Sequence, residues 1–239
     1  MADTNNFELR DIPIYSIPQA AQYLRLRKDS LRHWVVGWYS ETKADKRFFE
    51  PLIELPQHNL ELLPQSKTRL LSFTNLVEAH VLIAIFKATG FSRKQLNTDL
   101  KCVNSHFSTP HLYARIEFQV EGIALLFEKF GQKLAASDRE QEARQILDTY
   151  FDRILRDEAG LPLKFYPFTK VPGANEPKTV MIDPRISFGR PVLAGTGIPT
   201  AMLAERFKAG DSIDELAEDY NCSRLQIEEG IRCELPLVA

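Results

Sequence analysis

The chain is expected to fold as a mainly helical α+β protein. A winged helix-turn-helix should span residues 1–73, a small α/β middle domain 74–159, a Pro-rich linker 160–178 and a trihelical helix-turn-helix domain 179–239. Three observations predict this. One apolar template occurs at both ends: from Ala21, apolar residues follow three, five, ten and fourteen positions on (Leu24, Leu26, Leu31, Val35), and from Ala217 the same offsets give Tyr220, Cys222, Ile227 and Ile231. That spacing turns the inward side chains of two short helices toward each other across a tight turn, with a small residue at their closest approach. Ser16 with Gln19, Ser212 with Glu215 and Ser223 with Gln226 form capping boxes, in which hydroxyl and carboxylate or amide satisfy each other's unpaired backbone donors. Finally, residues 75–88 are apolar on several faces (Leu76, Val77, Val81, Leu82, Ile83, Ile85, Phe86), which makes them a core or dimer helix.

The N-terminal helix pair spans Ser16 to Trp38, with Pro18 inside the first turn, where its missing N–H costs nothing. Residues 48–72, with Pro51, Pro56 and Pro64 and apolar alternation around Leu52, Ile53 and Leu55, are expected to supply short strands of a wing. Gly90 ends the apolar helix, and Ser92 with Gln95 opens another that runs to about Ser105. His111 to Phe118 and Ile123 to Phe130, separated by Glu121-Gly122, predict a β-hairpin, and Ser137 with Glu140 caps a helix to about Glu158. Four prolines and two glycines in residues 160–177 predict a stiff, extended linker. Pro184, Gly189, Pro191, Gly195, Gly197 and Pro199 then break residues 182–200 into an ordered loop with one or two short strands, and three helices follow at 200–209, 212–220 and 223–234.

Charge separates the two ends. Arg10 to Arg47 carries eight Lys or Arg against four acids, whereas Thr200 to Ala239 carries four against nine. Only the N-terminal copy suits a polyanion. A recognition helix places donors near its N-terminus in the major groove while neighbouring cations hold phosphate. Arg25, Arg27, Lys28, Ser30, Arg32 and His33 are placed for that, with Lys43, Lys46 and Arg47 following on the wing. The alternative for these cations is a solvated basic surface.

Asp183-Pro184, Gly189-Arg190-Pro191 and Gly195-Thr196, followed by Ala209-Gly210-Asp211-Ser212 and the last two helices, resemble a short bacterial domain long labelled only as of unknown function and associated with VapB-type antitoxins. Gly197 stands where many short members carry Arg. The N-terminal pair resembles the MerR-like reader of the long members, and the likeness runs over nearly the whole chain. It implies an antitoxin of a type II toxin–antitoxin pair; with its basic N-terminal helix pair, the chain is expected to bind promoter DNA as a homodimer and to hold a cognate toxin at its C-terminal domain. Arg185, Phe188 and Arg190 offer two guanidinium groups and a ring on an exposed loop, a composition typical of interface anchors. If the toxin is a PIN-like ribonuclease, whose metal site is built of carboxylates, an arginine here would neutralise it by direct pairing. The alternative for Arg190 is to tie down its own loop.

No cofactor, metal site or catalytic constellation is expected. Cys102, His106 and His111 are loosely spaced like metal ligands but lack a fourth. Gly195-Thr196-Gly197 is not followed by the Lys-Ser/Thr of a phosphate loop. Cys102, Cys222 and Cys233 are odd in number and scattered, which argues against a disulfide framework. No apolar run approaches the ~20 residues of a membrane span, and the first residues lack signal-peptide character, so the cytoplasm is the expected compartment. Two other functional classes fit the same residues: a stand-alone ligand-sensing repressor and a protein-interaction adaptor.

Overall fold

The structure is a computed structural model that describes residues 8–41, 46–56, 69–107, 109–134, 137–170 and 176–236. In chain order the elements are β1 (Tyr15–Ser16), α1 (Ile17–Tyr23), α2 (Lys28–Val36), β2 (Trp38–Glu41), β3 (Lys46–Phe49), β4 (Leu70–Leu71), α3 (Phe73–Thr89), α4 (Arg93–Phe107), α5 (Ile123–Leu134) and α6 (Ser137–Phe151). They continue with β5 (Ile154–Arg156), β6 (Pro162–Phe165), β7 (Val180–Met181), β8 (Val192–Leu193), α7 (Thr200–Ala209), α8 (Ile213–Asp219) and α9 (Arg224–Glu234). The strands form antiparallel pairs, β1 with β4, β2 with β3, β5 with β6 and β7 with β8. The architecture is mainly helical α+β, as the sequence predicts.

Helix α3 is the core element. Its first thirteen residues, Phe73 to Ile85, are all buried, because a helix apolar on every face leaves no side to offer water. Ser72 and Asn75 close a capping box at its start, and Gly90 ends it in the left-handed conformation. Two polar groups are carried into this interior with partners. Glu78 accepts from Asn75 Nδ2 at 2.9 Å and from His111 Nδ1 at 3.2 Å. His80 donates from Nε2 to the Tyr150 carbonyl at 2.9 Å and is enclosed by the rings of Tyr150, Phe165 and Phe168.

The two ends of the chain repeat one turn. Arg25 (φ 51°) and Asn221 (φ 50°) take the same left-handed conformation between the helices of each pair. The next N–H reaches back five residues in both, Leu26 to Ala21 O at 2.9 Å and Cys222 to Ala217 O at 3.0 Å. This is the Schellman arrangement of a helix C-terminus, in which Asn fits the left-handed position and Arg does not without strain. The predicted boxes at Ser16, Ser212 and Ser223 are all closed.

Three expectations are corrected. Residues 111–130 are not a β-hairpin: Leu112–Ala114 is a buried 3-10 turn, Phe118–Gly122 a π-helical turn, and α5 continues it. Gly122 is not a turn residue there but a helical one, since any side chain on it would collide with the Phe118 ring. Residues 160–170 are not a free linker. β6 pairs with β5, Phe165 and Phe168 are buried against His80, and Phe165 bridges to Ile182. Leu52 and Ile53 form no strand, because both of their N–H groups donate to the Trp34 carbonyl and close the end of α2. Pro64 lies outside the described residues.

The main hydrophobic core runs without a break from Tyr15 to Ile182 and takes in Cys233. A smaller core of Leu193, Leu203, Leu216, Ile227 and Ile231 holds the last three helices together.

Candidate nucleic-acid and partner interfaces

Helix α2 buries Leu31, Trp34 and Val35 and thereby turns Lys28, Asp29 and Arg32 to solvent, with exposed Arg27 as its N-cap residue. Three of the expected contact residues make contacts within the fold. Arg25 points away from α2: its guanidinium donates to the carbonyls of Leu235, at 3.0 Å, and Arg232, at the end of α9. Gln22 adds a bond from Nε2 to the Cys233 carbonyl at 3.2 Å. Because a guanidinium has no acceptor, Arg93 must donate to His33 Nδ1, which is therefore unprotonated; a second nitrogen of Arg93 reaches Ser30 Oγ at 3.4 Å. Burial and the Arg93 charge lower the His33 pKa in agreement with that. Ser30 and His33 thus both meet Arg93. Lys43 lies outside the described residues.

Arg93, at the start of α4, is the residue that sequence reasoning missed. Its only sequence signal is its place beside the Ser92 cap, sixty residues from His33. It closes a stack of two rings held between two cations. Arg93 lies 6.0 Å from the Trp38 ring, Trp38 stacks on Phe49 at 4.5 Å and 10°, and Arg47 lies 5.3 Å from the Phe49 ring. Cations are held against ring faces by the ring quadrupole. Through Arg93 the exposed side of α2, with Arg27, Lys28 and Arg32, is joined to Arg47 on the inner face of the β2–β3 pair in one basic cluster, while Lys46 lies over Tyr39 on the outer face of the same pair. Arg10 does not join it, since it pairs with Glu8 and with Asp157 at 2.8 Å.

At the other end, β7 and β8 bracket the loop 182–191. Asp183 is fully buried and accepts from the Arg185 backbone N–H (2.9 Å), Nε (2.9 Å) and Nη2 (2.7 Å). Burial works to raise that carboxyl, but the Arg185 hydrogen bonds outweigh it and hold it below the usual range. Arg185, not Arg190, is therefore the arginine that ties this loop down. Ser187, Phe188 and Gly189 are consecutively left-handed (φ 49°, 55° and 73°). The Gly189 carbonyl accepts from Tyr15 Oη at 2.6 Å, and a Cβ on Gly189 would sit 2.7 Å from the Tyr15 oxygen, so only glycine allows the contact. This distortion leaves Phe188 89% exposed. A bulky residue in the left-handed region is rare, and such strain persists where the surroundings impose it.

Arg190 is exposed beside it, and Leu9, Ile12 and Ile14 add further exposed apolar surface that the sequence did not flag. A cavity of about 210 Å3 opens there between Leu9, Leu163, Pro184 and Arg185.

Residues 180–232 match the model of a family described as "Protein of unknown function (DUF433)". The chain is 23% identical to a Mycobacterium tuberculosis (strain ATCC 25618 / H37Rv) protein named "Putative antitoxin VapB45", over 97% of this chain and 98% of that protein. Its fold is similar to that of a solved structure titled "X-ray crystal structure of Rv2018 from Mycobacterium tuberculosis", with a TM-score of 0.63 and 19% identity over 93% of this chain and 98% of that one.

Proposed function

We propose that the protein is an antitoxin of a type II toxin–antitoxin pair. As a homodimer it binds its own promoter DNA through the surface of α2, β3 and Arg93, and it neutralises a PIN-like ribonuclease toxin on the loop that carries Phe188. The observation that carries the DNA half is the convergence of cations from three elements around the exposed side of α2. Arg32 is the base-reading candidate, since a guanidinium can bond guanine in a bidentate manner, while Lys28 and Lys46 anchor phosphate. Near-full-length similarity to a protein named as an antitoxin supports the other half. The exposed Phe188 supplies the apolar anchor, and exposed Arg190 beside it the charge, that a carboxylate-rich partner needs.

Both interfaces meet the same structural seam. Tyr15 joins β1 to the Phe188 loop, and Arg25 joins the turn before α2 to the end of α9. Occupancy of one surface would then change the affinity of the other by the same factor in both directions.

The test is to co-express a tagged chain with its flanking open reading frame, purify it and measure a mobility shift on the upstream DNA. A stable complex that shifts this DNA is expected, and a chain that recovers no partner and shifts no duplex at low salt contradicts the reading. A second reading, a stand-alone ligand-sensing repressor, is favoured by a cavity of about 230 Å3 lined by Arg10, Thr74, His111, Arg115 and Leu161 among others. It predicts DNA affinity that responds to a small polar molecule with no partner present.

A further inference from the structure

The geometry points to Tyr39 and Phe48 as an aromatic wedge that enters duplex DNA between base pairs beside the site read by α2 and kinks it; this rests on the DNA-binding reading above. In the β2–β3 pair, Trp38 faces Phe49, Tyr39 faces Phe48, Ser40 faces Arg47 and Glu41 faces Lys46. Opposed residues share a face and successive pairs alternate. The face with Trp38 and Phe49 is turned inward, onto His33 at 5.9 Å and Arg93. The other face carries Tyr39 and Phe48, which are 61% and 44% exposed with ring centroids 4.9 Å apart. Two large rings kept side by side in water on the outer face of a two-stranded ribbon are not needed for the core, which lies on the other side.

The wedge is rigid relative to α2. Gly37, which ends α2 at φ 79°, lies directly under the Phe48 ring, and a Cβ there would be 2.6 Å from Phe48 Cζ and from the Phe49 carbonyl. The ring therefore keeps a fixed offset from the helix that carries Lys28 and Arg32.

Charge selects the occupant. Lys46 Nζ sits 5.0 Å from the Tyr39 ring on the same face, and Arg47 and Arg93 line the face behind it. Exposed rings interleaved with cations match bases interleaved with phosphates, because every base offers a ring face and every step a negative charge. Apolar wedges of this kind act from the minor groove, where they unstack one step and bend the duplex by about 20–90°. Tyr39 and Phe48 would thus select flexible steps by their cost of deformation, at positions α2 does not touch.

The experiment uses the full chain and a duplex recovered by it from a randomised pool about three helical turns (~30 base pairs) long. End-labelled with a donor–acceptor dye pair and carrying 2-aminopurine at successive steps, that duplex reports bending and unstacking. Wild type is expected to shorten the end-to-end distance and to raise 2-aminopurine fluorescence at one step. Tyr39→Thr and Phe48→Thr, which keep strand propensity, should each bind about tenfold more weakly and lose both signals. Tyr39→Phe should keep them, and Lys28→Ala should weaken binding without changing the bend of the bound duplex.

Wild type that binds its duplex without bending or unstacking it overturns the wedge and leaves DNA binding standing. So does Tyr39→Thr that bends as wild type does but changes the oligomeric state in light scattering, which assigns the face to chain–chain contact. Failure of wild type to retain any duplex at low salt overturns the DNA reading and the wedge with it.

Discussion

Replacing Arg25 by Asn separates two roles for one residue. By sequence Arg25 belongs to the DNA-contacting set; in the fold it bonds the last carbonyls of α9. Asn is the right probe because Asn221 occupies the equivalent left-handed position in the other helix pair, so Arg25→Asn keeps the turn and removes only the guanidinium. A hydrogen bond from a charged donor contributes about 1.5–3 kcal/mol, and a cation at a helix C-terminus about 0.3–1 kcal/mol more. Those gains shrink here because Leu235 is exposed and its carbonyl can be rehydrated once the guanidinium is gone. Relief of the left-handed strain returns about 1 kcal/mol. The net expected loss is about 2 kcal/mol, read as a lower urea midpoint with unchanged m, or a fall in Tm of roughly 4–8 °C for a chain of this size. DNA affinity and the slope of log K against log salt should stay as in wild type. Wild-type stability together with a slope reduced by about 0.9, the share of one phosphate contact, would refute the reasoning and return Arg25 to the DNA surface.

Three further outcomes are expected. Arg32→Ala should weaken binding to the selected duplex by about 1–3 kcal/mol with little effect on random DNA, whereas Lys46→Ala should weaken both equally and flatten the salt dependence, as titrations between roughly 50 and 200 mM salt would read on the scale of about one phosphate contact. Phe188→Asn should raise stability by about 1 kcal/mol, since Asn tolerates the left-handed conformation, yet cost about 2 kcal/mol or more in toxin affinity by calorimetry. His80, buried and pushed from 6.5 down to about 3, is neutral in the fold but charges in the unfolded chain below pH 6.5, so its contribution to stability is present above that pH and is lost as pH falls toward 3. The loss is about 1.4 kcal/mol per pH unit and about 2 kcal/mol by pH 5; His80→Phe should flatten this part of the profile, with His111, raised and opposite in sign, the same in both proteins.

What was legible in the sequence was local. The capping boxes at Ser16, Ser212 and Ser223 involve residues three apart, and the all-apolar run of α3 needs no knowledge of its neighbours. The repeated spacing from Ala21 and Ala217 likewise foretold a shared turn. What misled was chemistry that depends on distant partners. Gly122 reads as a turn glycine until the Phe118 ring is found lying on it. The prolines of residues 160–170 read as a linker until Phe165 and Phe168 are found closing the core around His80. Arg25 and Lys28 look alike in sequence, two cations near a helix start, yet Lys28 is exposed while Arg25 reaches a helix end more than two hundred residues away. Arg93 was passed over for the same reason, because only folding brings it to Ser30 and His33.

Neutralisation is read most directly as the ribonuclease activity of the co-purified partner, freed by denaturation and refolding, on RNA with increasing amounts of this chain. The wild-type chain is expected to suppress cleavage at equimolar ratio, and Phe188→Asn is expected not to. A partner with no cleavage to suppress, or equal suppression by both chains, would contradict this.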